Sequence, residues 1–80
     1  MLITEEELQV KLKNFLKAEL RLRGLTHQSL ADLLSKDGQY VTKISIDNKL
    51  SRGSFSAAFF FQCIKVLGCD IDDLQKIVKL

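Results

Sequence analysis

Apolar residues return at helical spacing through nearly the whole chain, and each of its four glycines falls where one of these runs stops. With no proline anywhere and a capping residue at the head of each run, this punctuation dictates helices separated by tight turns. Five are expected. The first runs from about Thr4 to Arg23, with Thr4 and Glu7 spaced as a capping box and Leu8, Leu12, Phe15, Leu16 and Leu20 as the buried stripe. Lys13, Lys17 and Arg21, each four residues on, make a cationic stripe beside it, and Gly24 stops the helix. The second starts at Thr26 and turns Leu30, Leu33 and Leu34 inward, with Ala31 allowing close approach.

Ser35 to Tyr40 reads as a loop with Asp37-Gly38 as its turn. Tyr40 and Val41 could also be briefly extended. The third helix runs from about Thr42 to Arg52, with Thr42 as N-cap and Gly53 as stop. Ser56 caps the fourth, and Phe55 before it is placed to pack on Phe60 as a hydrophobic staple. Phe59, Phe60, Cys63, Ile64, Val66 and Leu67 cover most of that helix's circumference, so it should be the most buried. Asp70 caps the fifth, with Asp73 at the capping-box position and Leu74, Ile77 and Val78 inward. The expected fold class is all-α, a single domain over residues 1–80. A chain of 80 residues buries only about 60% of its unfolded surface, so association between copies is a natural supplement.

Charge and cysteine usage narrow the function classes. Net charge is only +2, but residues 8–69 hold ten Lys or Arg against four acids, a net +6. The remaining acids cluster at two helix starts. A basic middle suits a polyanionic partner, although solvated lysines and helix-dipole pairing would give the same pattern. Cys63 and Cys69 form neither a disulfide framework nor a zinc-site spacing and read as buried reduced thiols. The N-terminal segment MLITEEE is acidic where a secretory signal is basic, and the longest apolar run, Ala57 to Phe61, is far too short to span a bilayer. A cytoplasmic location is the expectation. One histidine without a paired nucleophile, no glycine-rich phosphate loop and no metal motif argue against an enzyme, a cofactor or a metal.

The third helix carries the informative face. At about 100° per residue, Ile46 and Leu50 point one way, while Ser45, Asn48, Lys49 and Arg52 fall together on the other. Asn pairs bidentately with adenine, Arg and Lys with guanine, and Ser with several bases, so this face has the chemistry to read the major groove of duplex DNA. Any amphipathic surface helix would also show a polar face.

GLTHQSLADLL (residues 24–34) resembles the second helix of the λ-repressor-like (XRE-type) helix-turn-helix family. LSRGSFSAAFFFQCIKVLGCDIDDL (residues 50–74) resembles that family's stretch from the end of the recognition helix into helices four and five. NKLSRGSFSAAFFFQC is also similar to a family of small bacterial proteins known only as a domain of unknown function. The resemblance implies a five-helix λ-repressor-like fold, double-stranded DNA as partner, transcriptional regulation, frequent dimerisation and no cofactor. Two departures stand out. The stretch from Ala31 to Gly53 is about six residues longer than in that family, so the turn before the third helix is long. His27, followed by Gln28, stands where the family often places a phosphate-binding Gln.

Phosphate contacts are accordingly expected from His27, Gln28, Lys43, Ser54, Ser56, Lys13 and Lys17. Backbone N–H groups at the start of the fourth helix would favour the anion. Phe61 falls on the side of that helix away from the other large apolar residues. With Leu74, Ile77 and Leu80 it forms the expected homodimer interface. The competing expectation is an oligomeric protein-interaction module that kept the fold without DNA binding. RNA is a third, without an evident platform of exposed aromatics.

Overall fold

A computed structural model describes residues 4–78, and every regular element among them is an α-helix. In chain order these are α1 (Glu5–Leu22), α2 (His27–Lys36), α3 (Lys43–Arg52), α4 (Ala57–Leu67) and α5 (Ile71–Val78). A side chain fixes each start. The hydroxyls of Thr4, Thr26, Thr42 and Ser56 accept the backbone N–H groups of Glu7, Ser29, Ser45 and Phe59, each at 3.1 Å. At α5 the exchange is reciprocal: Asp73 N–H donates to Asp70 Oδ1 at 2.9 Å, and Asp70 N–H to Asp73 Oδ2 at 3.0 Å. These bonds satisfy backbone donors that the first helical turn leaves without partners.

The stops are as local as the starts. Leu25 N–H donates to the Leu20 carbonyl at 2.8 Å and Gly24 N–H to that of Arg21 at 3.2 Å, the two bonds of a Schellman motif. The same pair of bonds recurs around Gly38 and Gly68. Gly53 also has a positive φ, 66°, but ends α3 with a single bond, from its N–H to the Lys49 carbonyl at 3.0 Å. A Cβ on Gly53 would also lie only 3.3 Å from Cδ of Lys13. Backbone conformation and the approach of α1 therefore both demand glycine there. That contact sets α1 beside the α3–α4 turn.

α4 is the hub, as its apolar circumference requires. It buries Phe59, Phe60, Cys63, Ile64 and Leu67, against Leu16 and Leu20 of α1, Leu30, Ala31 and Leu34 of α2, and Ile46 and Leu50 of α3. α2 packs on α3 and α4, whereas α1 packs on α4 and α5. Phe55 stacks on Phe60, with ring centroids 6.4 Å apart and planes at 7°, which is the expected staple. The half-buried Phe15 brings α1 to the same ring at 6.3 Å. Among the described residues, one charge enters this core. Glu19 is buried, and Arg23 Nε neutralises its carboxylate at 3.2 Å.

Several expectations change. Ile77 is only 7% exposed and belongs to the core, so it has no surface to offer a partner copy. Leu74 is half-buried against the same core. An amphipathic stripe at the end of a chain looks the same whether it faces its own domain or a second one. The side chain of Val78 and the whole of Leu80 lie outside the described residues. Tyr40 and Val41 form neither helix nor strand; Val41 packs on the core and Tyr40 is exposed. Cys63 is buried, which pushes its thiol up to about 12. Cys69 is half-buried, and both thiols are free.

Candidate nucleic-acid interface

Two side chains anchor α3. Ile46 and Leu50 are fully buried, and the other eight residues of the helix are half-buried or exposed. The opposite face borders an open concavity of about 490 Å³ that contains all four expected base-reading residues, Ser45, Asn48, Lys49 and Arg52. Thr42, Ile44 and Ser54 complete its wall. Fold and spacing thus bring the four together.

They are not equally available. Lys49 Nζ donates to Ser45 Oγ at 2.8 Å and stands 5.4 Å from the ring centroid of Phe59. A hydrogen bond and a cation–π attraction hold it against the domain, so Lys49 would have to leave Phe59 to extend toward a base edge. Asn48 and Arg52 are exposed, with no hydrogen bond or ion pair to either side chain among the described residues. Beside them lies Ile44, 71% exposed, which the polar-face reading overlooked. Its signal was present: Ile44 precedes Asn48 by one turn and is out of phase with Ile46 and Leu50.

The expected phosphate contacts divide more sharply. His27 Nδ1 lies 2.6 Å from Asp47 Oδ1, and Lys43 Nζ donates to Asp47 Oδ2 at 2.8 Å. One carboxylate therefore clasps the start of α2 to α3 and already engages two residues expected to meet phosphate. The Lys43 ammonium, and then His27, hold the Asp47 carboxyl below its ordinary range. Gln28 Nε2 donates to Asp32 Oδ1 at 3.0 Å along its own helix. Ser56 Oγ is occupied as the α4 cap, whereas Ser54 is exposed on the concavity wall.

Lys13 lays its aliphatic stem over Gly53, as long cationic side chains commonly do over apolar surface. This brings the cationic stripe of α1 close to the end of α3. Lys17 and Arg21 are exposed and border a second concavity of about 450 Å³ with Leu20, Leu25 and His27. Away from both hollows, Phe61 is 58% exposed, its ring meeting Phe60 edge-on at 5.6 Å.

Among the described residues no helix is long and apolar enough to cross a membrane, and no group of three or more His, Cys, Asp or Glu is placed to hold a metal ion. Neither the curated proteins nor the solved structures contain a match to the chain. One family model does match, over residues 8–72 and hence from early in α1 into α5. The chain belongs to the family described as Domain of unknown function (DUF6471).

Proposed function

We propose that the chain is a sequence-specific DNA-binding domain of the helix-turn-helix kind, similar to the λ-repressor-like family, that regulates transcription by reading the major groove with α3. The observation that carries this reading is the outer face of α3, where Ile44, Asn48 and Arg52 stand exposed along an open concavity. Such a trio matches base-edge chemistry: Asn to adenine, Arg to guanine, and an apolar branch to the thymine methyl. Leaving Ile44 in water otherwise forgoes the gain of burying it, about 1.5–3 kcal/mol for a side chain of its size. The α2–α3 pair supports the same reading, because Asp47 locks the second helix to the start of the first.

Selection of bound sequences from random duplex DNA tests the proposal directly. Against the selected site, Asn48→Ala, Arg52→Ala and Ile44→Ala are each expected to cost about 1–3 kcal/mol and to relax one base position. Helical circular dichroism should stay unchanged, since none of the three side chains is buried. Wild-type affinity in all three variants would show that this face is not the reader.

A single unit of this size makes few base contacts, so we assign the working form to a homodimer. A two-fold dimer sets two reading helices about 34–36 Å apart, one DNA turn. Phe61, exposed on α4 and backed by Phe60, is available for it, whereas Ile77 lies in the core. Phe61→Lys should raise the monomer fraction in sedimentation and weaken duplex binding together. A wild-type monomer at high micromolar concentration would remove the dimer. A dimer that binds no duplex even at low salt would favour the protein-interaction module, to which the exposed Phe61 equally points.

A further inference from the structure

Groups from three helices meet around His27, the first residue of α2. From α3, Asp47 Oδ1 lies 2.6 Å from Nδ1, and its other oxygen holds Lys43. From α1, Lys17 and Arg21 border the 450 Å³ concavity that His27 also lines. Both are exposed, and no carboxylate pairs with either among the described residues. α4 contributes no charge here: its Lys65 pairs with Asp37 at the opposite end of α2, at 3.2 Å. On α2 itself, Gln28 and Asp32 bond to one another.

The position of the protons decides what the ring can do. A neutral imidazole has one N–H donor and one bare acceptor nitrogen, and only the imidazolium donates from both. Asp47, beside Lys43, is a carboxylate and accepts only, so the short bond places a proton on Nδ1. Asp47 already holds Nδ1, which leaves Nε2 for a ligand in the concavity that His27 lines. In the neutral ring, Nε2 offers a lone pair to a hollow flanked by two cations. An anion there would meet repulsion from that lone pair. The imidazolium instead offers a third donor while keeping Asp47.

We propose that Lys17, Arg21 and His27 form a proton-linked phosphate site, in which a phosphate oxygen accepts from Nε2–H of a doubly protonated His27. Binding to the neutral form takes up one proton from solvent. The inference deepens the DNA reading and rests on it for its source of phosphate, the duplex backbone. Affinity falls as pH rises and the imidazolium gives up its second proton.

His27 is the sole histidine, so nitrogen NMR of the full chain reports this ring without ambiguity. Its titration would be followed in chloride, in inorganic phosphate at equal ionic strength, and with a short duplex of arbitrary sequence. The neutral ring should carry its proton on Nδ1, and both phosphate and duplex should move the His27 midpoint upward. Duplex affinity should fall about tenfold between about pH 5.5 and 8, the range across which a histidine becomes neutral.

Arg21→Gln should reduce the phosphate-induced movement while leaving the Nδ1–H tautomer in place. His27→Gln, whose amide donates at every pH, should bind duplex with that slope removed. An Nε2–H tautomer, or a midpoint unmoved by phosphate, overturns the proposal. Duplex binding with no pH dependence and an unmoved midpoint would sink the phosphate site and leave the DNA reading standing. A midpoint moved by inorganic phosphate, with no duplex bound at low salt, would keep the site as one for free phosphate and remove the DNA reading.

Discussion

Leu50→Ala should destabilise the domain by about 2–5 kcal/mol, the usual cost of removing a fully buried leucine and leaving a cavity behind. The effect is large because α3 has only Ile46 and Leu50 in the core. Truncating one of them removes half of the apolar anchor under the proposed reading face. Domains of this size have about 0.05–0.15 kcal/mol of stability per residue, on the order of 4–12 kcal/mol in all. The loss would therefore take a large share of it. Each 1 kcal/mol moves the midpoint of a domain this small by about 4–8 °C, so thermal unfolding should fall by at least about 8 °C. Ile46→Val, which deletes one methylene from the same anchor, should cost only about 0.5–1.5 kcal/mol. Urea unfolding of the two variants compares them on one scale. A Leu50→Ala protein within 1 kcal/mol of wild type would mean that α3 is not held by this pair.

Phe60→Ala is the second large effect, at about 3–5 kcal/mol. Its ring joins three parts of the chain: Phe15 of α1 at 6.3 Å, Phe55 of the preceding turn at 6.4 Å, and its neighbour Phe61 at 5.6 Å. Aromatic pairs of this kind add about 0.5–1.5 kcal/mol beyond the area they bury. The variant therefore loses the staple that starts α4 and one attachment of α1 to the hub. Phe61→Ala makes the comparison, at concentrations too low for association, because that ring is 58% exposed and its removal leaves no core cavity. Denaturant midpoints for the two neighbouring alanines should thus differ widely. Equal midpoints would show that the packing assigned to Phe60 does not carry the helix.

The contrast between Phe60 and Phe61 was legible in the sequence, because adjacent helical positions point about 100° apart. Helix starts and stops were legible for a similar reason. Thr26 and Ser29, or Asp70 and Asp73, lie three residues apart, and the Schellman bonds at Gly24, Gly38 and Gly68 close within six. Interactions of that reach involve only near neighbours in the chain, so their positions can be read from the sequence alone. The helical period likewise assigned Ile46 and Leu50 to one side of α3 and placed Asn48 and Arg52 on the other.

Tertiary structure decided which groups on those faces remain free. Asp47 takes His27 from twenty residues away, Lys49 turns over Phe59, and Lys13 lies across Gly53. Each involves a side chain whose partner belongs to a different helix or turn, and local spacing carries no information about which elements become neighbours. Lysine is the extreme case: its four-carbon stem reaches several surroundings from one backbone position, so its exposure follows from packing. Ile77 shows the same limit for apolar residues. Its period says that it faces something, and only the docking of α5 on α1 makes that something the chain's own core.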